Sequence, residues 1–221
     1  MTSRDVILQR IRNGLSQARA AGFADLSPPP VPEVWPHGTA DAAVLAARFE
    51  EELRIVQGEP IRCASMEDAR RELARLMETS GWTSVGAFDR PLAREAASAL
   101  PAGQVTWSRA DWQPKEMATL SVSLVTAEFL LADSGTCVIA CPTATDRLLC
   151  YLPPACVVIA RVDQVVEHLP AAWGDLARRA ADPQASGEFV LVTGPSRTAD
   201  IEKILILGVH GPKRMVVLLV G

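Results

Sequence analysis

A layered α/β protein built on a mostly parallel sheet is the fold class that this 221-residue sequence predicts. From residue 40 onward, stretches with helical spacing alternate with short runs rich in β-branched residues, the order expected of helices packed on a sheet. The last two strand-like runs, EFVLV and RMVVLLV, are continuously apolar, as strands are when helices cover both faces. The composition is that of a globular chain, 48% apolar with a mean hydropathy of +0.14.

Residues 3–20 have the spacing of an amphipathic helix, with Val6, Ile7, Ile11 and Leu15 forming the stripe, Leu8 widening it and Gly14 weakening it. Residues 25–38, DLSPPPVPEVWPHG, break regular structure and read as an extended linker or strapped path, with Trp35 available for docking and His37 exposed. A helix is expected over residues 40–56, carrying Val44, Leu45, Phe49 and Leu53 on one side. Another spans 66–79, with Ser65 as its cap and Asp68 near its start. Strands at 83–88 and 104–107 flank a short helix at 92–99.

In the middle, SVSLVTAEFLLADSGTCVIACP holds two apolar stretches joined by Asp133-Ser134-Gly135-Thr136. Turn chemistry there favours a return of 129–131 into 136–140, with a helix over 125–131 as the alternative. A strand at 156–159 precedes helices at 162–168 and 173–180, interrupted by Pro170. The closing unit reads as strand 189–192, loop, helix 199–207, loop and strand 215–220. The division expected is a helix and proline-rich extension over 1–39 and an α/β domain over 40–221.

With 22 basic and 26 acidic residues, the net charge of −4 offers no broad phosphate-tracking surface and argues against nucleic acid. No apolar run is long enough for a membrane span, and the N-terminus lacks the apolar core of a secretory signal, so the expected location is cytoplasmic. The five cysteines, Cys63, Cys137, Cys141, Cys150 and Cys156, form no CxxC pair and lie mainly in apolar settings. They are expected to be reduced core residues. No close histidine cluster or HExxH pattern supports a metal, and no cofactor motif is complete in this chain.

The segment Gly194-Pro195-Ser196-Arg197-Thr198-Ala199-Asp200 admits two readings. At a strand-to-helix entrance its free amides, the Ser196 and Thr198 hydroxyls and the Arg197 guanidinium would hold a carboxylate or phosphate. Alternatively, Gly194 and Pro195 make a turn, Thr198 caps the helix and Asp200 complements its positive end. His210 lies between Gly208 and Gly211-Pro212 and can donate or accept near neutral pH. Glu128 and Asp133 are weak candidates for catalytic carboxylates: odd spacing on a strand would place them on opposite faces.

The run TGPSRTADIE (193–202), followed by LGVHGP (207–212) and an apolar strand, resembles the closing signature of the LUD-domain family, in its lactate utilisation protein C (LutC/YkgG) group. ADSGT (132–136) before the apolar 137–140 is similar to that family's other hallmark, commonly Glu-Thr-Gly-Thr/Ser, with Asp133-Ser134 in place of the first two residues. Leu152-Pro153-Pro154 before a strand also fits, and the likeness covers residues 40–221. The resemblance implies a three-layer α/β/α fold of the NagB/RpiA/CoA-transferase-like kind. It also implies work with two partner proteins, one carrying iron–sulfur clusters, in the oxidation of L-lactate to pyruvate. Relatives in the wider fold bind phosphosugars, folates or coenzyme A, and some use a glutamate nucleophile. Two further readings stay open: a stand-alone enzyme for a phosphorylated, acyl-CoA or small carboxylate ligand, and a ligand-free interaction scaffold.

Overall fold

A computed structural model describes residues 2–20, 41–181, 188–199, 205–208 and 210–221. The proline-rich segment with Trp35 and His37, as well as Asp200, lies outside the described residues. The chain divides into two compact units, Met1–Pro36 and His37–Gly221. The first holds α1 (Ser3–Ala20), where the spacing placed it. Its start is closed by Thr2 and Asp5, with the Asp5 amide donating to Thr2 Oγ1 at 3.3 Å and the Thr2 hydroxyl donating to the Asp5 carboxylate at 2.8 Å.

The second unit begins with α2 (Ala42–Ile55), whose Asp41 side chain accepts from the Ala43 amide. Strand β1 (Glu59–Cys63) follows, then α3 (Met66–Thr79), β2 (Val85–Ala87), α4 (Pro91–Ala97), β3 (Val105–Trp107) and α5 (Pro114–Met117). Ser65 caps α3 by accepting from the Asp68 amide, as its sequence position suggested. Then come β4 (Val122–Thr126), β5 (Phe129–Leu131), β6 (Thr136–Cys141), α6 (Ala144–Leu149) and β7 (Ala155–Arg161). The chain closes with β8 (Val165–Val166), α7 (Leu169–Ala180), β9 (Glu188–Val192), β10 (Arg197–Ala199), β11 (Leu205–Leu207) and β12 (Arg214–Val220).

Six strands form one sheet in the order β1-β12-β7-β4-β2-β3, and every pairing in it is parallel. The pleat sorts side chains cleanly to the two faces. Val122, Leu124, Val157, Ile159, Val216, Leu218 and Val220 pack with α3 and α4. Val125, Cys156, Val158, Met215, Val217 and Leu219 turn the other way, towards Phe49 and Leu53 of α2, Leu149 of α6 and a second sheet. That sheet, ordered β8-β5-β6-β9, gives Leu130, Cys137, Ile139 and Val190 to the same core. On its far side, Leu131 and Val138 pack with Ala172 and Leu176 of α7. The architecture is α/β/α, with a mostly parallel central sheet flanked by helices.

All five cysteines are buried free thiols. Burial pushes Cys137 well above the usual thiol range, and both Cys63 and Cys156 up to about 11.

The return of β5 into β6 is antiparallel, pairing Phe129 with Val138 and Leu131 with Thr136, so the strand reading of 125–131 holds over the helical one. Four expectations fail. Residues 162–168 are not a helix: a single turn at Val162–Gln164 leads into β8. Gln164 fixes that turn, accepting from the Arg161 amide at 2.7 Å and donating to the Ala127 carbonyl at 2.7 Å, while the β-branched valines favour extended backbone. Pro170 opens α7 instead of interrupting a helix, and His168 is its cap, with Nδ1 accepting from the Ala171 amide at 3.2 Å. Nor is β9 covered on both faces, as its continuous apolar run suggested: it pairs antiparallel with β6 in the smaller sheet, and Leu191 is exposed.

The fourth failure bears on function. The described residues of the helix expected over 199–207 are extended: Arg197–Ala199 and Leu205–Leu207 pair as a two-stranded antiparallel ribbon, Thr198 opposite Ile206. The run Leu205-Ile206-Leu207 serves a strand as readily as a helix, and pairing decides between them.

Phe49, fully buried beneath the small sheet, ties α2 into this core. Phe49→Ala is expected to lower unfolding free energy by about 3–5 kcal/mol, read from urea midpoints. Val44→Ala on the exposed side of the same helix is expected to change it by less than about 0.5 kcal/mol.

Candidate functional site

The segments singled out in the sequence converge at the amino-terminal edge of the parallel sheet. Thr136 and Thr193 face each other one step beyond the Cys137–Val192 pairing of β6 and β9, with their hydroxyl oxygens 2.7 Å apart. Ser134 continues the chain of hydroxyls, 2.9 Å from Thr136 and donating to Asp133 Oδ1 at 3.0 Å. A polar relay of Asp133, Ser134, Thr136 and Thr193 thus joins the ADSGT turn to the TGPSRT segment.

Both turns are pressed against the end of α2. Gly135 has φ +63°, and a Cβ there would overlap the Leu53 amide and lie 2.6 Å from its Cα. Gly194 has φ +78°, and a Cβ there would overlap the Val56 carbonyl and lie 3.0 Å from its Cγ2. Neither place admits a side chain, and both backbones take the left-handed conformation that glycine adopts without cost.

Beyond Gly194 the chain is stitched to the segment before β12. The Ser196 amide donates to the Pro212 carbonyl at 2.8 Å, and the Gly208 amide to the Ser196 carbonyl at 2.9 Å. Ser196 and Gly211 come close enough that a Cβ on Gly211 would stand 3.1 Å from the Ser196 Cβ. These bonds and the ribbon use backbone groups of residues 196–199 that a helix entrance would have left free for an anion. Arg197 is exposed at the start of the ribbon, and Thr198 is placed by its backbone pairing.

His210 joins a different group. Parallel pairing of Arg214 with Ala155 puts the turn before β12 beside the turn before β7, and the Lys213 amide donates to the Pro154 carbonyl at 2.8 Å. Between these turns lies a cleft of about 430 Å³ lined by Tyr151, Leu152, Pro154, Gly208, His210, Gly211 and Lys213. Burial, then the neighbouring Cys150 and Cys141, raise the Tyr151 phenol against the opposing pull of Arg147, so it stays protonated at neutral pH. Tyr151 escaped the sequence reading, and Lys213 stood there only as half of a basic pair at a strand entry, because only strand pairing brings the two together. The signal present was the LPP turn followed by a strand, matched by a second strand entered at Lys213-Arg214.

The carboxylates are separated. Asp133 lies in the β5–β6 turn, its amide donating to the Glu167 carbonyl at 3.0 Å, and the described contacts do not join it to Arg197 or His210. Glu128 precedes β5, and both its oxygens are engaged: Arg90 at 3.2 Å on one and Arg179 at 2.6 Å on the other. Arg90 also donates to Thr126 Oγ1 at 3.1 Å and the Ala140 carbonyl at 2.5 Å, and lies over the Phe88 ring. With side chains 17% and 21% exposed, Glu128 and Arg90 form a half-buried clamp.

An α/β/α core with two glycine turns locked on one helix end defines a class of domain. The LUD domain family model matches residues 46–220. The chain belongs to the LUD-domain family. It is similar to lactate utilization protein C of Bacillus pumilus, 38% identical over 99 residues, which is 44% of this chain and 41% of that protein. Such matches leave more than half of the first curated relatives' length uncovered. Lactate utilization protein C of Geobacillus thermodenitrificans is 26% identical over 96% of this chain and 93% of its own. A crystal structure of a DUF162 family protein from Deinococcus radiodurans superposes with a TM-score of 0.62 at 17% identity, covering 82% of this chain and 99% of that one. At that identity the likeness is one of fold.

Gly135→Ala and Gly194→Ala are each expected to cost about 2–4 kcal/mol, from left-handed strain plus overlap with backbone that cannot move away. Chemical denaturation of the full chain measures this. Glu128→Gln leaves Arg90 half-buried without its counter-charge, and a loss of about 2 kcal/mol is expected. A denaturation midpoint unchanged by Glu128→Gln would show the clamp to be idle.

Proposed function

We propose that this chain serves a multi-protein system that oxidises L-lactate to pyruvate, as an accessory or co-catalytic component beside iron–sulfur subunits. The observation that carries this is the near end-to-end match to a relative named for lactate utilisation, 96% of this chain against 93% of that protein. The joining of the two motif turns through Thr136 and Thr193 supports it, because the segments that mark the family form one structural unit. The cysteines are buried core residues, with Cys137 and Cys156 raised by burial, and in this reading electron-carrying clusters belong to the partners. No helix among the described residues is long and apolar enough to cross a membrane.

Oxidising lactate removes two electrons and two protons, and in this reading the partner subunits take the electrons while this chain supports the assembly or its substrate handling. Reconstitution tests it. Lactate-dependent reduction of a dye acceptor is measured with the partner subunits alone, with this chain alone and with all together. The expected result is no turnover by this chain alone and a clear gain when it joins its partners. Robust turnover by the isolated chain, or a rate indifferent to its addition, would sink the proposal.

A further inference from the structure

The cleft between residues 151–154 and 208–213 carries more than the lactate reading uses. Among the described residues its polar side chains are Tyr151, His210 and Lys213, and no carboxylate lines it. Among the described residues no acid pairs with Lys213 or His210, whereas Arg90, Arg94, Arg147, Arg161 and Arg214 each have a carboxylate partner. The lysine is also positioned by its surroundings. Its amide is fixed to Pro154, and its stem lies across Gly208 so closely that a Cβ there would overlap Lys213 Cγ and approach Cε to 3.0 Å. The cleft's other wall is apolar, from Leu152, Pro154 and the Tyr151 ring.

We propose that this cleft binds a metabolite-sized organic anion, its carboxylate or phosphate held by Lys213 and His210 and its body resting on Tyr151, Leu152 and Pro154. The tyrosine hydroxyl, protonated at neutral pH, donates to a polar atom of the same ligand. Size narrows the class. At 430 Å³ the cleft falls in the range of roughly 300–1,000 Å³ typical of small-molecule sites. A three-carbon acid, six heavy atoms at roughly the 30 Å³ that a water occupies, fills less than half of it. The proposed occupant is larger than lactate, or carries a second anionic group, so as to cover the apolar wall, and its binding is independent of any turnover in the lactate system.

Isothermal titration of the full chain at low salt tests this with four probes: 2-oxoglutarate, phosphoenolpyruvate, L-lactate and inorganic phosphate. Saturable one-to-one binding of 2-oxoglutarate or phosphoenolpyruvate is expected, and the tighter of the two tells whether carboxylate or phosphate is preferred. L-lactate and inorganic phosphate are expected to bind at least about tenfold more weakly, since each leaves the apolar wall uncovered. Lys213→Met is expected to weaken the better ligand by roughly tenfold or more, and Lys213→Arg to retain most of the affinity. Gly208→Val should mimic Lys213→Met by displacing the lysine stem, while Arg178→Ala, on the exposed face of α7, should change nothing. Circular dichroism checks that each variant stays folded. Absence of saturable binding, affinity unchanged by Lys213→Met, or inorganic phosphate binding as tightly as the organic anions would overturn the assignment.

Discussion

The end of α2 is the point on which the rest of this fold depends. Leu53 is fully buried, its backbone takes the Gly135 turn, and one turn later Val56 takes the Gly194 turn. Three elements distant in sequence thereby meet with no side chain between them. The contact is made of backbone, so it tolerates little adjustment, and it sets the separation of β6 and β9 at the point where Thr136 reaches Thr193. The helix then leads through Gln57 and Gly58 into β1, so the same contact also fixes the edge of the parallel sheet. Arg214 on β12 secures that edge with two bonds of 2.7 Å to Glu59 on β1.

Where a segment's own pattern determined its structure, the sequence was legible. Residues 66–79 carried a cap, an apolar stripe and a good helix composition, and they form α3 with those bounds. The return at Asp133-Ser134-Gly135 was legible because its glycine has a single conformational use there. β1 went unrecognised because Pro60 interrupts it, which an edge strand can accept. Residues 162–168, and Ala199 and 205–207 at the described ends of the other expected helix, were misread for a related reason: short apolar runs suit helix or strand equally, and the choice was made by Gln164 bonding across to Ala127 and by β10 pairing with β11. The family turns were legible in the same way as the hairpin, by their glycines. Tyr151 and Lys213 were not, because the 155–214 pairing that joins them is a property of the sheet.

Open parallel sheets usually bind ligands at the carboxyl ends of their strands, where the connections leaving two adjacent strands diverge. In this chain that place lies between β2 and β4, since β2 leads outward to β3 and β4 leads the other way to β7. It is occupied by Arg90, Thr126, Glu128 and Arg179, which satisfy one another and tie α4 and α7 to the strand ends. Glu128, a weak candidate for a catalytic carboxylate, is thus held between two guanidiniums. A nucleophile in that position would have to break both ion pairs before it could attack. The motif segments instead gather at the amino ends of β1, β7 and β12, around the end of α2 and the Lys213 turn. A closed clamp stands at one edge, and the Lys213 turn stands at the other with no carboxylate partner among the described residues. The same core thus presents a different face without any change in how its strands pair.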